Sequence, residues 1–273
     1  MAQLHGMLGH IDSVDLYNKR LIQQSNTAGT SPKAQMQTKE SQYRRFLIFE
    51  YFYNAQSPVI ICEGKTDNVY ITQAIKSLAP TYPTLASVSA TNAVSLKVRI
   101  FKYPDTSTGR ILELHGGTGD LKNFILQYSD DIQKFKAPGL IQPVIILVDN
   151  DDGKNGLTGV IKNLTKLQLP WSAPYIHVAG NLYVMPTPLI AGAAQSAIED
   201  FFSQQTRDTV LNGKTFSPSS SDHNLHYGKA IFAEQVVQKN AKTIDFSGFI
   251  PIMNTLAAIV AAHAAKHPPK PTP

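Results

Sequence analysis

The chain has 273 residues, of which 42% are hydrophobic, enough to bury the core of one large domain or two small ones. Its 25 Lys and Arg residues against 20 Asp and Glu residues give a formal net charge of +5, which permits a nucleic-acid partner without requiring one. The single cysteine excludes a disulfide scaffold and a multi-cysteine zinc module. We expect a soluble, cytoplasmic protein without a membrane span, because the sequence has neither an uninterrupted apolar run of about 18 residues nor a secretory signal.

The first 56 residues are predicted to form two helical segments joined by a polar linker. Apolar residues recur at near-helical spacing over 4–16, and the stretch 22–42 is poor in large apolar side chains. A second helix, rich in aromatic residues, is predicted over 43–53 and ends before Ser57-Pro58. We interpret these aromatic side chains as helix packing rather than as a base-stacking surface.

From residue 58 the sequence alternates between predicted strands and predicted helices. Short apolar runs predict strands over 59–62, 110–114 and 144–148, and either a fourth strand or a hairpin over 176–179 and 182–185. The helical patterns lie at 69–78, 120–128, 193–203, 228–239 and 252–265. This alternation predicts an α/β fold with a parallel sheet covered by helices on both faces.

Two polar segments interrupt the alternation. Residues 81–97 are interpreted as an insertion and residues 204–226 as a loop. Cys62 lies within an apolar run and is predicted to be a buried, small hydrophobic residue. Since ligands of open α/β sheets bind beyond the carboxyl ends of the strands, the residues directly after the three strongest strands are candidates for a functional site.

Acidic residues follow the first and third of these strands. The first strand is followed by Glu63-Gly64-Lys65-Thr66-Asp67, and the third is followed by Asp149-Asn150-Asp151-Asp152-Gly153. The second strand is followed by His115-Gly116-Gly117-Thr118-Gly119-Asp120. In an extended strand Asp149 and Asp151 would face the same side. Crowded carboxylates repel one another unless a divalent cation neutralises them, and their hard oxygen atoms suit Mg²⁺ or Mn²⁺.

A strand that ends in Glu63-Gly64, followed by a later strand that ends in Asp149-x-Asp151, resembles the Toprim domain. This domain is shared by type IA and type II topoisomerases, bacterial primases and overcoming-lysogenization-defect (OLD) nucleases. The resemblance covers residues 58–190, about half of the chain. It implies a Toprim-like Rossmannoid parallel sheet flanked by helices, with Mg²⁺ or Mn²⁺ held by acidic residues at the strand ends.

Within that superfamily the chain resembles the OLD nucleases. They carry an acidic residue four positions after the Glu, which Asp67 matches, a later acidic residue, for which Glu199 is the candidate, and a lysine that opens a helix, for which Lys229 is the candidate. The alternatives are Asp200 for the acidic residue and Lys214 or Lys242 for the lysine. Full OLD proteins also contain a P-loop ATPase, which this sequence lacks.

The resemblance implies that the chain hydrolyses phosphodiester bonds of RNA, including tRNA, or of DNA. The implied metal ligands are Glu63, Asp67, Asp149, Asp151 and Glu199; the implied catalytic residues are Glu63, Asp149, Asp151 and Lys229; and the candidates for substrate contact are Lys65, His115 and Gly117. Metal ions would activate a water and stabilise the leaving oxygen, and Lys229 would balance transition-state charge. Structural roles are the alternative for each residue, such as a favourable interaction of Asp67 with a helix dipole.

The segment Leu4-His5-Gly6-Met7-Leu8-Gly9-His10-Ile11 is similar to the last thumb segment of retron and group II intron-type reverse transcriptases. Some retron enzymes carry a C-terminal Toprim-like extension, so the chain resembles the C-terminal part of such a fusion. On this interpretation residues 1–56 are a helical segment and linker, 57–245 the Toprim domain, and 246–273 a C-terminal helix and Pro-rich tail. The implied partners are the reverse transcriptase and its RNA–DNA product, the implied role is anti-phage defence, and self-association is left open.

Two other functions remain as alternatives. A non-catalytic Toprim module would serve binding or assembly with the reverse transcriptase and its RNA–DNA product. Primase or topoisomerase chemistry is disfavoured, because one cysteine cannot build a primase zinc module and none of the 11 tyrosines lies in a recognisable nucleophile setting. The sequence does not distinguish RNA from DNA as the substrate.

Overall fold

One large sheet and two small ones contain the strands that the structure describes. The structure is a computed structural model that describes residues 38–103 and 105–266, so the segment 4–16, most of the polar linker and the Pro-rich tail lie outside the described residues. The described strands are β1 (Val59–Cys62), β2 (Ala86–Val88), β3 (Val94–Leu96), β4 (Arg99–Ile100), β5 (Val144–Val148), β6 (Ile176–Ala179), β7 (Leu182–Pro186), β8 (Thr215–Phe216) and β9 (His226–Tyr227).

The large sheet has five strands in the order β4-β1-β5-β7-β6. Strand β1 pairs in parallel with β4 and β5, and β5 pairs in parallel with β7. Strand β6 pairs antiparallel with β7, so of the two predicted alternatives the hairpin is confirmed. The protein is therefore an α/β protein with a mostly parallel sheet, as the alternation of the sequence predicts.

Both faces of this sheet are buried, which explains the nearly continuous apolar sequences of its central strands. Alternate residues enter two separate cores: Ile60 and Ile145 belong to the first core, and Val59 and Ile146 to the second. Parallel sheets covered on both faces show this pattern. Cys62 is fully buried in the first core as predicted, and burial raises the pKa of its thiol.

Helices cover both faces of the sheet, as predicted. The described helices are α1 (Thr38–Ile48, continued by a π-helical turn at Phe49–Tyr53), α2 (Asp67–Ser77), α3 (Ser107–Ile111), α4 (Thr118–Asp131), α5 (Asn155–Thr165), α6 (Gln204–Arg207), α7 (Lys229–Ile231, continued by a π-helical segment at Phe232–Gln238) and α8 (Ile250–Lys266). Helices α2, α7 and α8 contribute to the first core, and α1, α4 and α5 to the second. The aromatic residues of α1 pack inside: Phe52 is fully buried against Phe101 and Phe124.

The strand predicted over 110–114 is wrong. Helix α3 begins just before it, capped by the Thr106 side chain, whose Oγ1 accepts a hydrogen bond from the Gly109 N–H at 2.9 Å. The apolar residues Ile111 and Leu114 are buried by a helix and a turn instead of a strand. The outer strand of the sheet is β4, whose two residues are too few to produce a recognisable apolar pattern.

Three other segments differ in detail from the prediction. Residues 81–97, interpreted as an insertion, contain the antiparallel pair β2–β3. Within 193–203 the helical part is the single 3₁₀ turn Ile198–Phe201, and the polar segment 204–226 contains α6 and β8 as well as loop. The helices predicted over 43–53, 228–239 and 252–265 are confirmed.

One helical stretch, Ser247–Lys266, is long and apolar enough to cross a membrane by length and composition. Polar residues such as Asn254 and His263 interrupt it, so no uninterrupted apolar run is seen in the sequence. In the fold Met253, Leu256 and Ile259 are buried in the first core. Its apolar composition is thus explained by packing against the sheet, and composition alone is weak support for a span.

Asn181 connects the β6–β7 hairpin to neighbouring elements through a fully buried amide. Its Nδ2 donates to the carbonyl oxygens of Phe52 at 3.0 Å and Gln142 at 2.6 Å, and its Oδ1 accepts from the Tyr128 hydroxyl at 2.6 Å. We expect Asn181→Ala to lower the free energy of unfolding by about 3 kcal/mol, because three buried polar groups lose a partner. Urea denaturation measures this loss. The control Asn224→Ala, at an exposed position, should change it by less than about 0.5 kcal/mol, and equal effects of the two substitutions would contradict the prediction.

Candidate active site

Two acidic residues lie side by side where the adjacent parallel strands β1 and β5 end. Glu63 directly follows β1, and its backbone N–H donates to the Leu147 carbonyl at 3.0 Å. Asp149 directly follows β5, and its backbone N–H donates to Glu63 Oε2 at 3.2 Å. The Tyr103 hydroxyl donates to the Glu63 carbonyl at 2.9 Å. Strand pairing therefore fixes both acids at the carboxyl edge of the sheet, where ligands of open α/β sheets bind.

A tight turn after Glu63 brings Asp67 to the same edge. Asp67 is the first residue of α2, only 6% of its surface is exposed, and its Oδ2 accepts from the Gly64 N–H at 2.8 Å. A Cβ atom at Gly64 would lie 3.0 Å from that oxygen, so the close approach favours glycine. This position combines the predicted helix-dipole interaction with a place beside the other acids.

Asp151 begins the turn that follows β5. Its Oδ1 accepts from the Gly153 N–H at 2.7 Å, which caps the 3₁₀ turn Asp152–Lys154. A Cβ atom on Gly153 would lie 2.9 Å from this oxygen. The negative charge of Asp151 raises the pKa of Glu63, so the two carboxylates interact across the strand ends.

A bridge between two loops brings Glu199 to the site. Asn150 and Ser196 exchange backbone hydrogen bonds of 2.8 and 3.0 Å, and the Asn150 N–H also lies 3.0 Å from the Thr187 hydroxyl. Two residues after Ser196, the backbone N–H of Ile198 donates to Asp149 Oδ1 at 2.9 Å. This bridge has no recognisable sequence pattern, because it involves single polar residues outside any strand.

Glu199 and Lys229, which sequence resemblance alone suggested, are in contact. Glu199 is 3% exposed, and the Lys229 Nζ atom lies 3.1 Å from its Oε2. Its Oε1 has no hydrogen-bond partner in the described part of the chain. Lys229 is the first residue of α7, as predicted, and its carbonyl accepts from the Tyr70 hydroxyl at 3.3 Å.

Five carboxylates thus meet near one ammonium group, and we call these five the acidic cluster. Its members are Glu63, Asp67, Asp149, Asp151 and Glu199. Burial is the largest cause of the raised pKa values of Glu63, Asp67, Asp149 and Glu199, and the charges of Asp67 and Glu199 help to raise the pKa of Asp149 to about 7. Burial lowers the pKa of Lys229, but the nearby carboxylates outweigh it and hold that pKa above its ordinary value.

The donor chemistry of the acidic cluster fits a hard divalent cation. All its donors are carboxylates, which Mg²⁺ and Mn²⁺ prefer, and Glu199 presents a buried oxygen without a partner. Within residues 38–103 and 105–266, no three Asp, Glu, His or Cys side chains are grouped closely enough to hold a metal ion as they stand. Cation binding would therefore require these carboxylates to converge on a common point.

No protein-family model matches this chain. No solved structure matches it either. The interpretation of the acidic cluster therefore depends on its own geometry and on the motif resemblance in the sequence.

The three residues predicted to contact substrate lie near Glu63 and have protein partners. Lys65 Nζ is 2.9 Å from Asp105, and His115 Nδ1 is 3.2 Å from Asp120 Oδ2. The Gly117 N–H donates to the Glu63 carbonyl at 3.3 Å, and the φ angle of Gly117 is +85°. Gly117 therefore supports the backbone of Glu63, and the Gly-rich turn follows α3 rather than the strand that was predicted there.

The residues considered as alternatives to Glu199 and Lys229 contact other groups or lie exposed. Asp200 Oδ2 accepts from the Ala197 N–H at 2.8 Å and so closes its own turn. Lys214 donates to the carbonyl of His223, and Lys242 is exposed. The structure therefore brings Glu199 and Lys229, rather than these alternatives, together with the strand-end acids.

A second acidic motif is part of a helix. Tyr128-Ser129-Asp130-Asp131 has the letters of the polymerase signature Tyr-x-Asp-Asp but lies within α4. The Tyr128 hydroxyl bonds to buried Asn181, and buried Asp131 pairs with Arg44 at 2.9 Å. These contacts give the tetrapeptide a structural role.

The Lys229–Glu199 pair should couple in stability measurements. We expect Lys229→Met to lower the free energy of unfolding by about 2 kcal/mol, because it leaves a buried carboxylate without its counter-charge. The expected loss of unfolding free energy is smaller than for a fully buried ion pair, because Lys229 is partly exposed. Adding Glu199→Gln should restore most of the loss, and a double-mutant cycle in urea measures the coupling. Equal losses in the single and double variants would contradict the prediction.

Proposed function

We propose that this chain is a metal-dependent nuclease of Toprim type that hydrolyses phosphodiester bonds of RNA or DNA. The observation that supports this most strongly is the acidic cluster with Lys229, which lies at the carboxyl ends of two adjacent parallel strands. Burial of several like charges at one edge is costly for folding, and perturbed pKa values of this kind are enriched at functional sites.

The acidic cluster would hold Mg²⁺ or Mn²⁺ through its five carboxylates. When bound, the ion would supply Lewis acidity and lower the pKa of a coordinated water. The raised pKa of Glu63 makes its carboxylate a better proton acceptor than a solvent-exposed glutamate. The ammonium of Lys229 would balance the negative charge that a phosphodiester gains when water attacks it.

The wider biological role depends on the N-terminal resemblance. The similarity of Leu4–Ile11 to a reverse transcriptase thumb supports a nuclease effector fused to such an enzyme, with its RNA–DNA product as a second partner and anti-phage defence as the role. This segment lies outside the described residues. The resemblance to a reverse transcriptase fusion also supports the cytoplasm as the place where the protein acts.

Cleavage assays test the proposal. The full chain is incubated with labelled single-stranded RNA, tRNA and DNA in Mg²⁺, in Mn²⁺ or in EDTA. We expect metal-dependent cleavage of at least one substrate, its loss in Glu63→Gln, and its retention in Glu50→Gln, a matched change at an exposed position. If no substrate is cut in either metal, alone or with the reverse transcriptase, the proposal is wrong.

One observation favours a non-catalytic module as the second candidate. The Lys229 ammonium already neutralises part of the acidic cluster, and no ready-made metal group occurs among the described residues. A module for assembly with the reverse transcriptase would need no metal. Calorimetry distinguishes the two, because the nuclease should bind Mn²⁺ and lose this binding in Asp149→Asn, whereas the assembly module should bind none.

A further inference from the structure

Two open clefts adjoin each other beside β4, the outer strand next to β1. One, of about 260 Å³, is lined by residues that include Arg99 and Lys102, and the other, of about 330 Å³, by residues that include Arg110 and His115. Thr106 lines both, so the two clefts are neighbours. Together we call them the cationic groove.

Positive charge dominates the cationic groove. Arg99 and Lys102 are both exposed along it. Among the described residues that line either cleft, Asp105 is the one acid, and Lys65 pairs with it at 2.9 Å. The groove therefore carries a net positive charge, which complements a phosphate backbone.

The cationic groove leads to the acidic cluster. Strand β4 pairs in parallel with β1, which ends directly before Glu63, and Lys65 links this turn to Asp105 in the groove. A cavity of about 450 Å³ beyond β7 differs in character, because Leu189, Ile190, Asp200 and Asp245 line it. Apolar and acidic groups do not suit phosphates, so charge favours passage of a polyanion on the β4 side of the site.

Arg99 adds a feature suited to unpaired bases. Its guanidinium lies 4.3 Å from the centre of the Tyr51 ring and 5.6 Å from that of Phe101. An exposed guanidinium over an aromatic ring offers a surface on which an unstacked base can lie. Bases inside a duplex are stacked on each other and cannot use such a surface.

We propose that the cationic groove binds single-stranded nucleic acid and leads it to the acidic cluster, with a phosphate at Lys102 and a base against Arg99. That the bound strand is also the substrate rests on the proposed nuclease function. The binding itself does not, because it involves none of the residues of the acidic cluster.

Binding in EDTA tests the groove without any cleavage. Fluorescence anisotropy of labelled 20-nucleotide single-stranded DNA and RNA is measured with the full chain over a series of salt concentrations. We expect Arg99→Gln/Lys102→Gln to weaken binding roughly tenfold at low salt and to reduce the salt slope by about 0.7, because Lys102 is the one phosphate contact that this variant loses. Lys162→Gln/Lys166→Gln removes the same charge from exposed positions at the end of α5, a helix that packs against β6 at the opposite edge of the sheet, and should leave binding within about twofold.

Other outcomes would overturn the proposal. If the groove variant binds as tightly as the wild type, the groove is not the binding site. If the groove and control variants lose the same affinity, the nucleic acid is attracted by the total charge of the protein only. Tighter binding of a duplex of the same sequence contradicts the assignment to single strands. Absence of cleavage in the separate metal-dependent assay would refute the nuclease and leave these binding results unchanged.

Discussion

Replacing Asp149 with Asn is expected to lower the cleavage rate about a thousandfold or more and, at the same time, to stabilise the metal-free protein. The substitution removes one negative donor from the acidic cluster, and a loss of about 4 kcal/mol of transition-state stabilisation corresponds to this factor. The side-chain oxygen of Asn can still accept the hydrogen bond that Ile198 donates to Asp149 Oδ1 at 2.9 Å. The loop geometry should therefore survive the loss of charge.

The gain in stability follows from the cost of the buried charge. Burial and the charges of Asp67 and Glu199 oppose ionisation of Asp149, whereas Asn has no charge to bury. We expect thermal unfolding in EDTA to occur several degrees higher in Asp149→Asn than in the wild type. Asp152→Asn, in the same turn but exposed, is the matched control and should retain cleavage and melting temperature. Full cleavage by Asp149→Asn would remove this residue from the catalytic site.

The metal-free protein is expected to lose stability as the pH rises from about 4 to about 7. The pKa of Asp149 is about 7 in the fold, against its ordinary value of 3.8. Between these values the folded state holds a proton that the unfolded state has released, so the free energy of unfolding falls with rising pH and levels off above pH 7. At about 1.4 kcal/mol per pKa unit, the total loss is at most about 4 kcal/mol. The raised pKa values of Glu63, Asp67 and Glu199 act in the same direction.

Urea denaturation in EDTA at a series of pH values measures this dependence. The fall of the unfolding free energy with rising pH should be less steep in Asp149→Asn and the same as in the wild type in Asp152→Asn. Addition of Mn²⁺ should oppose this fall between pH 4 and pH 7, because a cation favours ionised carboxylates and binds only the folded site. A free energy of unfolding that rises from pH 4 to pH 7 in EDTA would contradict the raised pKa values.

The α/β class and four of the five strands of the large sheet could be predicted from the sequence, because buried parallel strands appear as continuous apolar runs. The outer strand β4 could not be predicted from the sequence, because only its two residues Arg99 and Ile100 pair with β1. Residues 110–114 misled the prediction because an apolar run buried by a short helix looks the same as one buried by a strand. The cap at Thr106 was the local signal for this helix.

Some residues of the candidate site could be placed from the sequence and others could not. Glu63, Asp149 and Asp151 could be placed from the sequence, because they directly follow recognisable strands. The positions of Glu199 and Lys229 depend on contacts between distant segments: the Asn150–Ser196 bridge for the first and the packing of α7 into the first core for the second. No periodicity encodes such contacts, so residue spacing alone could not bring these two residues to the cluster.

The position of Lys229 late in the chain has a consequence for protein synthesis. A nascent polypeptide that ends near residue 190 contains β7, and β1 and β5 with the acids that follow them, but it lacks Glu199, Lys229 and the α8 helix that contributes to the first core. Domains fold as units once their elements are present. Chains that terminate before α8 are therefore expected to be inert, and a cell that makes this protein meets the acidic cluster together with Lys229 only after the ribosome has translated past α8.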